Sequence, residues 1–417
     1  MPSQDAPSIY AELLANIRQL SIAVSLPSPA GTHTGGIVGP DGATLELQHA
    51  GAQASFVLPG RVHAAGAALP TPPPGSRAIS WRLPLAESSA LPTRSPHDEP
   101  VPWTAVDLLP GSPVACRSCS APLVPEGKAR EWKDLPSENW AEMMDFWHCH
   151  KPTDHEHAED HEHLARRGYG ANSSIAAQPG IGMVDLTSFL FSESDCTGLT
   201  FSSSSSHDDA GSDASSAVLA GEADPPPRML YVFCSGCRAH VGFFNVAIFS
   251  VVLLKWQVSC QTVAPAAANS PRPPPSSSDC LAATLIATLS RSGSSKSVVV
   301  PAFQPAQITA ADGAGGGLSS SPALHLWILN SNITYASSQR EGPRSAIKLL
   351  YREIAQHEAD SMLESMTSDV QEVSLPTAAI VKAAAALKGS SELLPPSERV
   401  FKEWNVGLLD KWQAGSV

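Results

Sequence analysis

Short apolar or alternating runs dominate the first hundred residues. Ser21–Leu26, Thr44–Leu47, Ala54–Leu58 and Ile79–Leu83 are separated by Pro/Gly-rich turns, and each has the length and spacing of a strand. Ile9–Leu20 fits a strand or a short helix, and a strand is favoured because Ser21–Leu26 continues it. Val241 to Leu254, broken only by Gly242, Asn245 and Ser250, is short of the roughly 20 residues that span a bilayer, so it is expected to be a buried strand. In the last third, Leu324–Leu329 reads as a buried strand. Ile347, Leu350, Tyr351, Ile354 and Met362 fall at helical spacing, which predicts a helix from Ser345 to about Ser365. Thr377–Leu387 is Ala-rich and helical, with Gly389 in the place of a C-cap glycine, and Pro395-Pro396-Ser397-Glu398 is expected to open a short final helix through Phe401 and Trp404.

Stretches without apolar content divide these elements. Ser202–Ser216 with Pro225–Pro227, Ala264–Ser278 and Gly313–Ser321 cannot pack a core and read as loops grown out of a compact fold. The division that follows is a β-rich region at 1–110, a module at 111–260 carrying a low-complexity insertion at about 196–227, a linker at 261–280, and a C-terminal strand–helix region at 281–417. The fold class expected is α+β.

Charge narrows the ligands. Twenty-seven Lys and Arg against 40 Asp and Glu leave 27 − 40 = −13, with no basic cluster to offset it. Direct nucleic-acid binding is therefore not expected, since phosphate contacts need a basic footprint. No membrane span is expected either. Met1-Pro2-Ser3-Gln4-Asp5 does not begin a secretory signal, and eight cysteines are too sparse for a disulfide scaffold, so a soluble intracellular protein is expected.

Four of those cysteines form two C-x-x-C pairs, Cys116/Cys119 and Cys234/Cys237. Such a turn presents two sulfurs to one metal, and zinc takes four thiolate or imidazole ligands tetrahedrally. Each pair lies between strand-like runs, so two facing knuckles holding one structural zinc is the expectation. A redox pair needs a thiol at a helix start, and neither pair opens a helix; unrelated surface thiols are the remaining alternative. His157-Ala158-Glu159 ahead of a C-x-x-C superficially matches the nucleobase-deaminase signature, but Phe233 stands where that signature has proline and the histidine lies in a polar His/acid tract.

Trp140, Met143, Met144 and Trp147 have helical spacing behind Ser137 as an N-cap, which reads as core. Cys149 lies between His148 and His150. It reads three ways: a nucleophile with either histidine as its base, a metal ligand, or an inert buried thiol.

The order of several segments is distinctive. Tyr10–Leu26, Ser80–Leu85, the Cys116/Cys119 pair, Leu135–Trp140, Trp147–Pro152 and Arg167–Ala171 are followed by Val184–Leu190, the Cys234/Cys237 pair, Leu254–Val258, His325–Asn330 and Phe401–Trp412. In this order the chain resembles the HECT-like ubiquitin ligase family, also described as ubiquitin-conjugating-enzyme-binding proteins, and it looks like a fungal member. The resemblance implies a protein of cytoplasm and nucleus that takes ubiquitin from a ubiquitin-conjugating enzyme and passes it to protein substrates, with cyclin binding among the family's properties. It also implies a second, non-catalytic role: binding the endonuclease of messenger-RNA 3′-end processing as a chaperone or inhibitor. HECT-type transfer needs a thiol that carries ubiquitin, yet no cysteine follows Cys280. Cys149, with His148 or His150 as activator, is the carrier candidate.

Overall fold

The computed structural model describes residues 6–86, 100–135, 176–203, 229–263, 274–302, 323–365 and 368–413. The chain opens with β1 (Ser8–Leu14) and β2 (Gln19–Ser25), then β3 (Gly35–Val38), β4 (Thr44–His49), β5 (Ala52–Val57) and β6 (Ala78–Pro84). The strands expected from alternation lie in β2, β4, β5 and β6. Ile9–Leu20 is not one strand, however: a 3-10 turn at Ala15–Ile17 and Arg18 at φ 51° fold it into a β1–β2 hairpin. The break has no glycine or proline to announce it.

The middle of the chain supplies β7 (Val114–Cys116), β8 (Pro122–Val124), β9 (Glu131–Asp134), β10 (Ile181–Val184), β11 (Ser188–Ser192) and β12 (Leu199–Ser202). Then come β13 (Met229–Cys234), β14 (His240–Asn245), β15 (Ser250–Leu254) and β16 (Val258–Cys260). The apolar run Val241–Leu254 is thus a hairpin rather than a single strand. Asn245 Oδ1 accepts from the Ala247 amide at 3.1 Å and Phe249 turns the chain at φ 48°. A Cβ at Gly242 would collide with the Val252 carbonyl of the facing strand, so glycine is required there.

Helix α1 (Ser277–Ser292) follows, beginning inside the stretch read as linker, with β17 (Lys296–Pro301), β18 (Ala323–Ser337), β19 (Arg340–Ile354), α2 (Gln356–Glu364), β20 (Gln371–Leu375), α3 (Thr377–Ser391), β21 (Val400–Phe401) and β22 (Trp404–Asp410). The helix expected from Ser345 is a correction: the chain is strand to Ile354 and helix only from Gln356. β19 is paired on both edges, to β18 and β22, and Ala346, Ile347, Leu349, Leu350 and Tyr351 are buried. A strand covered on both faces loses its period of two, and its apolar positions can then fall at helical spacing by chance. The final helix is also corrected. Pro396–Glu398 is one 3-10 turn, and Lys402 at φ 54° reverses the chain into β22. Helix α3 is where it was expected, but it runs past Gly389 to Ser391.

The protein is α+β, strand-rich with three α-helices among the described residues. It forms two compact units, one from residues 1–100, 281–302 and 315–413, the other from 101–280. The first holds a nine-stranded sheet in the order β21-β22-β19-β18-β1-β2-β6, with β17 on β18 and β20 parallel to β17, beside the small β3-β4-β5 sheet. Leu20, Ile22 and Val24 pack with Val38, Leu45, Leu47, Phe56 and Trp81 in one core. The second holds a seven-stranded sheet, β12-β13-β14-β15-β11-β10-β9, and a three-stranded one, β16-β7-β8.

Candidate metal centre

The two C-x-x-C segments fold alike. Cys116 ends β7; its amide donates to Ala121 O at 2.8 Å, and its carbonyl accepts from the Ser120 amide at 2.8 Å. Cys234 ends β13; its amide donates to Ala239 O at 2.9 Å, and its carbonyl accepts from the Arg238 amide at 2.8 Å. Ser120 and Arg238, each just after the second cysteine of its pair, both take φ 61°. Two unrelated stretches therefore adopt one left-handed knuckle, which is costly for non-glycine residues and persists only where surrounding contacts fix it.

Supports hold the knuckles together. The Thr197 amide donates to Leu123 O at 2.8 Å beside the first, and Gly198 O accepts from the Ser235 amide at 2.9 Å in the second. Arg117 Nη1 donates to Trp256 O at 3.2 Å and Pro275 O at 2.9 Å, tying the first knuckle to the 3-10 turn Lys255–Gln257. Lys255 at the head of that turn is 1% exposed, and its Nζ donates to the Pro102 carbonyl at 2.6 Å and the Trp103 carbonyl at 3.0 Å.

As a result the Sγ atoms of Cys116, Cys119, Cys234 and Cys237 all lie within 4.8 Å of one another. The contacts between knuckles are Cys116 to Cys237 at 3.6 Å and Cys119 to Cys234 at 3.6 Å. Tetrahedral zinc with Zn–S of about 2.3 Å has S···S edges of about 3.8 Å, so the two cross-knuckle contacts are near such an edge and the set is compatible with a four-thiolate zinc. Burial leaves the Cys116 thiol above its ordinary value although the amides of Cys119 and Ser118 pull it down, and Cys119 and Cys237 also lie above theirs. At Cys234 burial also raises, but the amides of Cys237 and Gly236 and the neighbouring thiols outweigh it and leave the group below its ordinary value. Amides aimed at sulfur favour the thiolate that a metal needs. Four protein ligands would fill a tetrahedral site, so a metal here supplies a cross-link and leaves no position for substrate.

Cys196, Cys260 and Cys280 are not brought to this centre. Burial pushes each of their thiols up to about 12, which keeps them protonated and unreactive. Cys149, His148 and His150, and with them His155, His157, His161 and His163, lie outside the described residues. Leu254–Val258 carries no ligand spacing in the sequence, yet its Trp256 carbonyl anchors Arg117 of the first knuckle. No helix among the described residues is long and apolar enough to cross a membrane.

A strand-rich α+β protein with a closed four-thiol centre is the class these observations define. The family model described as HECT-like Ubiquitin-conjugating enzyme (E2)-binding matches residues 12–406, and the chain belongs to that family. Relatives include an uncharacterised protein of Schizosaccharomyces pombe, 44% identical over 54 residues, and one of Saccharomyces cerevisiae, 38% identical over 52 residues. Each match covers 12% of this chain and 15% of the relative's length. No solved structure matches.

Proposed function

We infer that this protein is a zinc-stabilised partner of a ubiquitin-conjugating enzyme that promotes transfer of ubiquitin to protein substrates, in cytoplasm and nucleus. The family carries the first part of this reading. The zinc part rests on the four sulfurs that fit a tetrahedron. If ubiquitin passes through a cysteine of this chain, the carrier is Cys149: four of the other thiols converge on one centre and three are held protonated by burial. His148 or His150 is then its activator.

The same observation favours a second reading. With seven of eight thiols committed or inert, a protein that binds a conjugating enzyme, or the 3′-end processing endonuclease, without carrying ubiquitin needs no further chemistry. A non-reducing gel with ubiquitin, activating enzyme and a panel of conjugating enzymes separates the two. Transfer through Cys149 gives a reductant-sensitive adduct that Cys149→Ser abolishes. No ubiquitin adduct of any kind, reductant-sensitive or reductant-resistant, on folded, zinc-loaded protein that still binds a conjugating enzyme selects the non-covalent reading, and no binding to any conjugating enzyme overturns both forms of the enzyme-partner proposal.

A further inference from the structure

Away from the cysteines, the first unit brings Ser28, His49 and Thr34 into hydrogen-bonding contact. His49 is the last residue of β4, ahead of the two-residue turn Ala50-Gly51 whose φ values of 48° and 81° belong to a tight hairpin. His49 is 4% exposed. Ser28 Oγ lies 2.8 Å from His49 Nε2, and Thr34 Oγ1 lies 3.1 Å from His49 Nδ1. The Gly31 amide donates to Thr34 Oγ1 at 3.0 Å, which fixes that hydroxyl in place. In the tautomer that places the proton on Nδ1, Nδ1–H donates to Thr34 and Nε2 accepts from the Ser28 hydroxyl, the arrangement of an activated serine.

The loop is built to hold Ser28 still. It is flanked by Pro27 and Pro29, whose rings fix the backbone on either side. The Leu26 amide donates to Arg77 O at 2.8 Å and the Ala30 amide to Ser76 O at 2.8 Å, so the segment is pinned before and after the serine. Ser28 itself is half-buried, whereas its base is covered.

We propose that Ser28 is an acyl-accepting nucleophile, with His49 as general base and Thr34 as its positioning residue. Thr34 is uncharged, so it orients the imidazole without stabilising an imidazolium as a carboxylate would. That suits an acyl donor already activated, a thioester rather than an amide. In the step, Ser28 Oγ attacks the acyl carbon and its proton passes to His49 Nε2. The C–O bond forms, the C–S bond breaks, and the departing thiolate takes the proton from His49. The product is an oxyester on Ser28 and a free thiol on the donor. Under the function proposed above, on which the choice of donor rests, that donor is the ubiquitin thioester of the conjugating enzyme.

The test uses the full chain and two reagents. A fluorophosphonate probe requires no conjugating enzyme: Oγ–P forms, P–F breaks, and fluoride leaves. Wild type should be labelled and Ser28→Ala should not, while His49→Gln, which keeps hydrogen-bonding capacity, should be labelled about a hundredfold more slowly. Melting curves of both variants establish that they are folded. Labelling of wild type no faster than that of Ser28→Ala overturns the proposal, as does labelling indifferent to His49→Gln in folded protein. In the ubiquitin reaction, the expected adduct survives reductant, is cleaved by hydroxylamine and is absent from Ser28→Ala. Probe labelling at Ser28 with no such adduct supports the nucleophile and counts against the conjugating enzyme as its donor, so the two failures are distinct.

Discussion

Lys255 shows how one buried residue ties stability to pH. Burial lowers its amine from the usual 10.5 to about 8 and outweighs the pull of Asp185 and Asp134, while among the described residues the carbonyls of Pro102 and Trp103 accept from it. Below pH 8 both folded and unfolded chains are protonated, and the folded one bears the cost of burying an ammonium. Between about 8 and 10.5 the unfolded chain binds more protons than the folded one, so this group's contribution to stability rises with pH. Cys196, Cys260 and Cys280, raised from 9.0, act in the opposite sense from pH 9 upward. The comparison with Lys255→Met isolates the lysine. The stability of wild type minus that of Lys255→Met should increase by about 1 kcal/mol per pH unit across that window, on the order of 3 kcal/mol in all. Chemical denaturation at stepped pH measures it, and a flat difference would mean that the folded amine titrates normally.

At the scale of elements, the cysteine knuckles were the most legible feature of the chain, because C-x-x-C spacing encodes ligand geometry directly. Strand hairpins with Pro/Gly turns were legible for a similar reason, since local chemistry specifies them. β19 was not. Its apolar residues report burial on two faces, and only knowledge of its neighbours β18 and β22 distinguishes that from a helix. Ser28, Thr34 and His49 had no motif to betray them, because a loop and a distant hairpin bring them together. The knuckles yield a prediction at this scale, since metal binding and folding are linked. Cys234→Ser should reduce bound zinc below one per chain and lower the melting temperature. Chelator should do the same to wild type but move the variant little. Metal analysis of protein purified without chelator that finds no zinc, with melting unaffected by chelator, would remove the metal from the centre.

The first unit is assembled from the two ends of the chain, which meet at one junction. β1 pairs with β18 from Tyr10–Ser337 to Leu14–Ile333, placing the start of the chain inside a sheet otherwise built from β2, β6 and the strands between residues 296 and 410. At that junction Glu12 on β1 meets Lys348 on β19 at 2.7 Å, with Tyr10 Oη donating to the same carboxylate at 2.8 Å. Both charges are largely covered, the side chains 6% and 18% exposed, and Lys348 also lies 3.6 Å from Glu398 on the turn before β21. A covered pair costs desolvation on both sides and is a weak source of net stability, but breaking it leaves the remaining charge buried alone. Lys348→Met should therefore destabilise by about 3 kcal/mol, with Glu12 the stranded charge. Combining it with Glu12→Gln should recover part of that loss rather than add to it, because the neutral amide can still accept from Tyr10. A double-mutant cycle by denaturant unfolding reads the coupling. Strictly additive losses would show that β1 is held by its backbone ladder and apolar face alone, and that the ion pair spanning the two ends of the chain is incidental to their joining.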